Sequence, residues 1–217
     1  MATPYLQLWV EEVSSTQDLA REEVGRLPVL VAAERQTAGR GRGGAAWLSA
    51  PRALAASLAF RPSDDDLRPF SLMAGVAAAR GLNDVSLKWP NDLMSDGVKV
   101  GGILVERADE VVVGMGLNLW WPEAPEGIGA LDDEDPGAGL HAQIAGLWAA
   151  ELMRLVEAGG WPLDEYRSLC TTLGKTISWE PEGRGRAVDV AEDGGLVVEV
   201  SGARQTLTSG AIRHLRH

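Results

Sequence analysis

The segment Gln36–Trp47, QTAGRGRGGAAW, sets four glycines and two arginines side by side and offers two incompatible readings of the chain. Gly39, Gly41 and Gly44 formally satisfy GxGxxG, which after a strand would open a helix onto a dinucleotide and imply a doubly wound parallel sheet. That fingerprint also needs an opening helix and an acidic residue about 20 positions on, at the end of a second strand. Here AAWLSAPRALAASLAF follows, with Pro51 interrupting, and Asp64–Asp66 form a loop cluster. The dinucleotide reading fails, and no GxxxxGK[ST] phosphate loop occurs elsewhere. What remains is a glycine-rich loop leaving a strand, whose exposed N–H groups and the guanidinium forks of Arg40 and Arg42 suit a phosphate or carboxylate. A solvated loop with incidental charge is the plain alternative.

The surroundings make those arginines unusual. The 217 residues carry a formal net charge of −11, so clustered cations must serve a local site rather than a general nucleic-acid or anionic-membrane surface. Hydrophobic residues at 45% and charged residues at 24% are those of a folded, water-soluble protein of one full-sized domain with a small appendage. The lone Cys170 excludes an internal disulfide and a cysteine metal cluster, as in a reducing cytosol. The N-terminus lacks a signal-peptide pattern and no run approaches the roughly 20 apolar residues of a membrane span, which predicts a cytoplasmic protein.

Periodicity predicts the elements. YLQLWVEEV alternates as a strand, SSTQDLAREEVGRL as a capped helix with Leu19, Val24 and Leu27 on one face, and PVLVAAE as a buried strand running into the glycine loop. RALAASLAFRP reads as a strand, DLRPFSLMAGVAAARGL as a helix stopped by Gly81, and SLKWPND as a short strand broken by Pro90. VKVGGILVER and EVVVGMGLNLW form a hairpin across ADE. A surface loop from Trp121 to Gly139 precedes two helices, LHAQIAGLWAAELMRLVEAGG and PLDEYRSLCTTLG. After Gly174 short strands suggest a small barrel, dividing the chain into residues 1–173 and 174–217.

Two further clusters carry potential chemistry. KWPND, Lys88–Asp92, collects a lysine, an amide and a carboxylate. Lys99 opens an apolar strand, where its head either snorkels to solvent or reaches an anion in a cleft. Gly101 and Gly102 on that strand, with Gly114 and Gly116 on its partner, leave room for a bulge or for a ligand close to backbone.

Taken in order, SSTQ, RQTAGRGRGGAAW, SLKWPNDL, KVGGILVE and VGMGLNL resemble the five signature segments of the biotin protein ligases, over Ser14–Leu119. The resemblance implies an α+β fold like that of class II aminoacyl-tRNA synthetases, a mixed, largely antiparallel sheet with helices, plus a small C-terminal SH3-like β-barrel. It implies that biotin and ATP give biotinyl-5′-AMP, accompanied by Mg2+, and that biotin then passes to a lysine of a biotin carboxyl carrier protein of acetyl-CoA carboxylase or a related carboxylase.

By the same resemblance Ser15, Thr16, Gln17 and Gln36 would hold the biotin ureido ring, with Arg40, Gly41, Arg42, Lys99, Gly101 and Gly102 completing the biotin site. Arg40, Arg42, Trp47, Lys88, Asn91, Lys99 and Asn118 would serve ATP, and Asp92 the metal. Lys99, Arg40 and Asp92 would be catalytic, Asp92 by helping the carrier lysine lose its proton. Trp120 or Trp121 would stack on adenine or pack at a rim. In the family the glycine-arginine loop closes over the adenylate, which water would destroy.

Two departures bear on that loop. Gly43 stands where a further basic residue is frequent, and Ala45 and Ala46 where basic residues precede the tryptophan. With the first strand beginning near Tyr5, a winged helix and hence a DNA-binding function are not expected, and either a monomer or a homodimer is compatible. A lipoate ligase or lipoyl/octanoyl transferase would share the fold, but its arginine-rich, triple-glycine and histidine segment is missing, and His141, His214 and His217 lie away from the signatures. A non-catalytic biotinyl-adenylate-binding module is the alternative of another class.

Overall fold

Two runs apolar at nearly every position, Val29–Ala33 and Ala53–Phe60, become strands covered on both faces, because only a central strand of a packed sheet can bury consecutive side chains. The computed structural model describes residues 3–63, 66, 68–137, 139–180, 183–208, 210 and 212–215. His217, Asp64 and Asp65, weighed above, lie outside them.

The main sheet has seven strands: β1 (Leu6–Val13), β2 (Val29–Gln36), β3 (Arg52–Phe60), β4 (Ser86–Lys88), β5 (Asp92–Ser95), β6 (Val98–Arg107) and β7 (Val111–Trp120). Their order is β1-β2-β3-β7-β6-β5-β4. Only β1 and β2 run parallel, so the sheet is mixed and largely antiparallel, as expected, and the doubly wound alternative is excluded.

Strand alternation divides the core between the two faces. Leu54, Leu58, Val113, Met115 and Leu117 meet helices α2 (Phe70–Gly81) and α3 (Leu140–Glu157) in the larger cluster. On the opposite face Val29, Val31, Ala59 and Val112 pack with Ala20 and Val24 from helix α1 (Thr16–Glu23) and its end. The α1 face is only partly covered, and the uncovered part is where Gly102 of β6 and Gly114 and Gly116 of β7 lie.

A fourth helix, α4 (Leu163–Leu169), leads into β8 (Thr176–Trp179), β9 (Gly183–Val190), β10 (Leu196–Val200), β11 (Ala203–Leu207) and β12 (Ile212–His214). These form a five-stranded antiparallel sheet in the order β11-β10-β9-β8-β12. Among the described residues no helix is long and apolar enough to cross a membrane.

Three local expectations change. DLMS becomes strand β5, too short for alternation to reveal. The short strands expected after Gly174 end in β11 and β12, which lie on opposite edges of the second sheet rather than side by side. Leu27 does not belong to the helix face: α1 ends at Glu23 and Leu27 is 40% exposed.

Candidate functional site

A cleft of about 300 Å³ opens on the α1 face, between the N-terminus of α1, the glycine loop, strands β6 and β7, and the turn joining β4 to β5. Its two ends differ in chemistry. One end is neutral and hydrogen-bonding; the other is cationic.

The neutral end is set by the first turn of α1. Ser15 takes extended backbone and caps the helix, its hydroxyl accepting from Asp18 N–H at 3.4 Å. Thr16 N–H donates to Gln36 Oε1 at 2.8 Å, and its hydroxyl lies 3.0 Å from the same oxygen and 2.8 Å from Ser57 Oγ. Gln17 Nε2 reaches Leu104 O at 3.5 Å, while Gln17 Oε1 is buried without a partner among the described residues. A buried acceptor left unpaired is costly, so this oxygen suits a ligand N–H. Ser57 was not anticipated, although it is the only hydroxyl in the apolar run RALAASLAF.

The floor explains the glycines. Gly102 and Gly116 are cross-strand partners, and a Cβ added to Gly116 would stand 2.6 Å from the Trp47 indole. At Gly114 it would meet Gln17 Oε1 at 2.9 Å. The small residues on β7 therefore admit Trp47 and Gln17 to the sheet surface, rather than leaving bare backbone for a ligand. Gly101 faces the opposite side, against the Gly116 carbonyl, Leu93 and Leu117, and does not line the cleft.

Simple alternation would put Lys99 and Gly101 on one face. The β5–β6 register instead shifts at Leu93/Met94, pairing Leu93 with Gly101 and Met94 with Lys99. One residue of β6, Val100, is thereby left over as a bulge, which reverses the parity and brings Lys99 onto the same face as Gly102.

At the cationic end Lys99 Nζ lies 2.5 Å from Asp92 Oδ1, and Lys88 Nζ lies 3.4 Å from Oδ2. Asn91 donates to Ile103 O at 2.8 Å and accepts from Arg42 at 3.2 Å; Arg42 also reaches Gly210 O at 3.4 Å. Arg40 lines the cleft but sends its fork to Asp18, at 2.7 and 2.8 Å, with Glu106 at 3.5 Å. Each partner reinforces the other's charge: Arg40 holds the Asp18 carboxyl below its usual range, and Asp18 pushes the guanidinium up.

Asn118 is buried beneath the segment after β7, donating to Gly129 O at 2.9 Å, and does not line the cleft; nor do Trp120 and Trp121. The second sheet contributes Ile212 to the lining, which nothing in its sequence marked. It also grips the β4–β5 turn: Trp89 Nε1 donates to Gly194 O at 2.9 Å, and Trp89 N–H donates to Thr172 Oγ1, which lies 3.2 Å from His214 Nε2.

Among the described residues no group of three or more His, Cys, Asp and Glu side chains could hold a metal, and Asp92 is the carboxylate lining the cleft. Both Asp92 oxygens already face a lysine, so the described residues offer no all-protein cage, and a cation of the Mg2+ kind would have to bring most of its ligands as phosphate and water.

Residues 9–120 match the model of the Biotin/lipoate A/B protein ligase family. The chain is 33% identical over 219 residues to the biotin–[acetyl-CoA-carboxylase] ligase of Mycobacterium tuberculosis, covering 87% of this chain and 79% of that protein. It is 35% identical over 130 residues to the bifunctional ligase/repressor BirA of Bacillus spizizenii, covering 52% of this chain and 40% of that one. The solved biotin protein ligase from Aquifex aeolicus in complex with biotin and ATP superposes with a TM-score of 0.81 at 26% identity, covering 97% of this chain and 99% of that chain.

Proposed function

The chain belongs to the Biotin/lipoate A/B protein ligase family, and from that premise we propose that it joins biotin to a lysine of a biotin carboxyl carrier protein, of acetyl-CoA carboxylase or a related carboxylase, at the expense of ATP. A biotin carboxylate oxygen attacks the α-phosphorus, the bond to the β-phosphate oxygen breaks, and biotinyl-5′-AMP and pyrophosphate result. The carrier lysine, as free amine, then attacks the acyl carbon, AMP leaves, and the amine gives up its proton.

The observation that carries this reading is the two-ended cleft. A cyclic urea presents one carbonyl and two N–H groups, and the neutral end supplies hydroxyls, amides and the unpaired Gln17 Oε1 to match. A dithiolane ring has no N–H to offer Gln17 Oε1 and would leave that buried oxygen unpaired, which disfavours lipoate.

The other end must hold two anions together, and Lys99 is the charge-neutralising group best set to do so, with Lys88 and Arg42 beside it. Asp92, held between the two lysines, orients them and is the base available to the incoming amine. Mg2+ would arrive on the phosphates, with Asp92 and Asn91 as the residues to hold it, and would neutralise phosphate oxygen and leaving pyrophosphate. Trp47 walls the middle of the cleft. Gly101 and Asn118 act on the site only through the backbone they support.

The same reading divides the chain at residues 173 and 174, supported by the start of the second sheet at Thr176. The acidic balance favours proteins over DNA as partners, and the single cysteine favours the cytoplasm.

The test is transfer of labelled biotin to a carrier domain with Mg·ATP, with lipoate in parallel. Biotin transfer by the native protein, reduced on the order of 10²–10³-fold in Lys99→Ala, is expected. Lipoate transfer alone would overturn the substrate, and unchanged transfer by Lys99→Ala would overturn the role of Lys99.

A further inference from the structure

Arg40 is the loop residue whose guanidinium is most fully engaged, and its partner is not in the loop. Both Asp18 carboxylate oxygens take a guanidinium N–H, at 2.7 and 2.8 Å, in the bidentate geometry that distinguishes a directional ion pair from a casual surface one. Asp18 sits in the first turn of α1, next to Ser15, Thr16 and Gln17. Arg40 stands at the base of the glycine loop, where its backbone pairs with Ala46 and Gly41 N–H donates to Ala45 O.

The surrounding charges hold the pair in place. Glu106 on β6 is 3.5 Å from Arg40 and 2.8 Å from Arg21; Arg21 also reaches Glu110 at 3.1 Å and Asp18 at 3.8 Å. The chain Glu110–Arg21–Glu106–Arg40–Asp18 thus ties α1, the loop and the β6–β7 hairpin together, with Arg40 as its member that lines the cleft. By contrast Arg42, two residues on, spans the loop to Asn91 and to Gly210 at 3.2 and 3.4 Å, so Arg40 secures one side of the loop and Arg42 the other.

We propose that Asp18 is a positioning residue: its carboxylate fastens the Arg40 loop to the first turn of α1, so that one contact sets both the neutral and the anion-facing parts of the cleft before any ligand arrives. Asp18 itself is not part of the cleft lining. It acts through Arg40: backbone bonds close the loop on itself and Arg42 holds its far side, so with Gly43 and Gly44 at φ 65 and 78 the near side depends on the Arg40–Asp18 pair. The consequence for acyl-adenylate retention rests on the function proposed above; the fastening does not.

Trypsin reads the fastening directly, because Arg40 and Arg42 are its targets and cleavage of a briefly opened segment follows the population of the open form. In the ligand-free protein Asp18→Asn, which keeps size and loses charge, should raise cleavage after residues 40 and 42 about three- to tenfold. Asp18→Glu should restore most of the protection. Cleavage after Arg186 in the second sheet serves as the internal control and should not change. Equal loop cleavage in Asp18→Asn and native protein would overturn the proposal, as would a parallel rise at Arg186, which would mean general destabilisation.

A second measurement follows release of labelled biotinyl-5′-AMP. Faster release from Asp18→Asn, rescued by Asp18→Glu, is expected. Faster loop cleavage in a protein that takes up no biotin would leave the fastening standing and reject the function; unchanged release beside faster cleavage would reject the coupling to retention.

Discussion

Gly116 shows how a single residue couples fold to site. Its missing side chain is what allows the Trp47 indole to lie on the sheet, since an added Cβ would come within 2.6 Å of the ring. Gly116→Ala should therefore displace Trp47, lowering stability by about 1–3 kcal/mol in denaturant titration and reducing biotin transfer together with it. Gly25→Ala, in open space, should do neither. The sequence announced that β6 and β7 carry small residues at facing places, but not what would fill them, because Trp47 lies far from both strands in the chain. Lys99 was legible for a sounder reason: a lysine in an apolar strand needs an anion or an exit to water, and both expectations concern the lysine alone.

Among the elements, strands and helices long enough to show their period were legible, and β5 was not. The helix α3 shows the pattern plainly, with Trp148, Leu152 and Leu155 buried against the sheet. Truncating its fully buried Leu152 to Ala should cost about 2–5 kcal/mol, measured by denaturant unfolding, while the exposed Leu147→Ala should cost little. A bulge was one of the two readings of Gly101 and Gly102, and one lies beside them at Val100; its effect on which face Lys99 takes was not legible, because alternation assumes unbroken parity and one extra residue reverses it. The segment after β7, expected as a surface loop, is pinned by Arg52 on β3, whose fork meets both oxygens of Asp135 at 2.9 Å. Arg52 and the Gly137 N–H pull the Asp135 carboxyl down to about 2. A lowered carboxyl pKa stabilises the folded form above the unfolded value and ceases to as pH falls through the folded one. This anchor should accordingly persist until pH approaches about 2, which a carboxyl NMR titration of Asp135 would reveal.

At the scale of the whole molecule, the resemblance named the architecture and the position of the second sheet, but not how that sheet meets the cleft. Its grip on the β4–β5 turn runs through Thr172 and His214. Burial, aided by Lys88 and Lys175, holds the His214 pKa below the usual 6.5, despite an opposing pull from Asp92. The sign follows: the unfolded chain binds this proton more readily, so the contribution is complete above 6.5 and is lost as pH falls through the depressed folded value. Thermal unfolding should show lower stability at pH 5 than at pH 7, with a smaller difference in His214→Gln.

Because Ile212 closes the cleft and Gly210 O receives Arg42, the site also has an order of assembly in time. Synthesis delivers Ser15 well before Ile212, and domains fold as units while the chain emerges. A growing chain would therefore possess the groups that recognise the ring well before the wall that encloses the reactive end. The reactive mixed anhydride belongs to a chain whose second sheet has already formed.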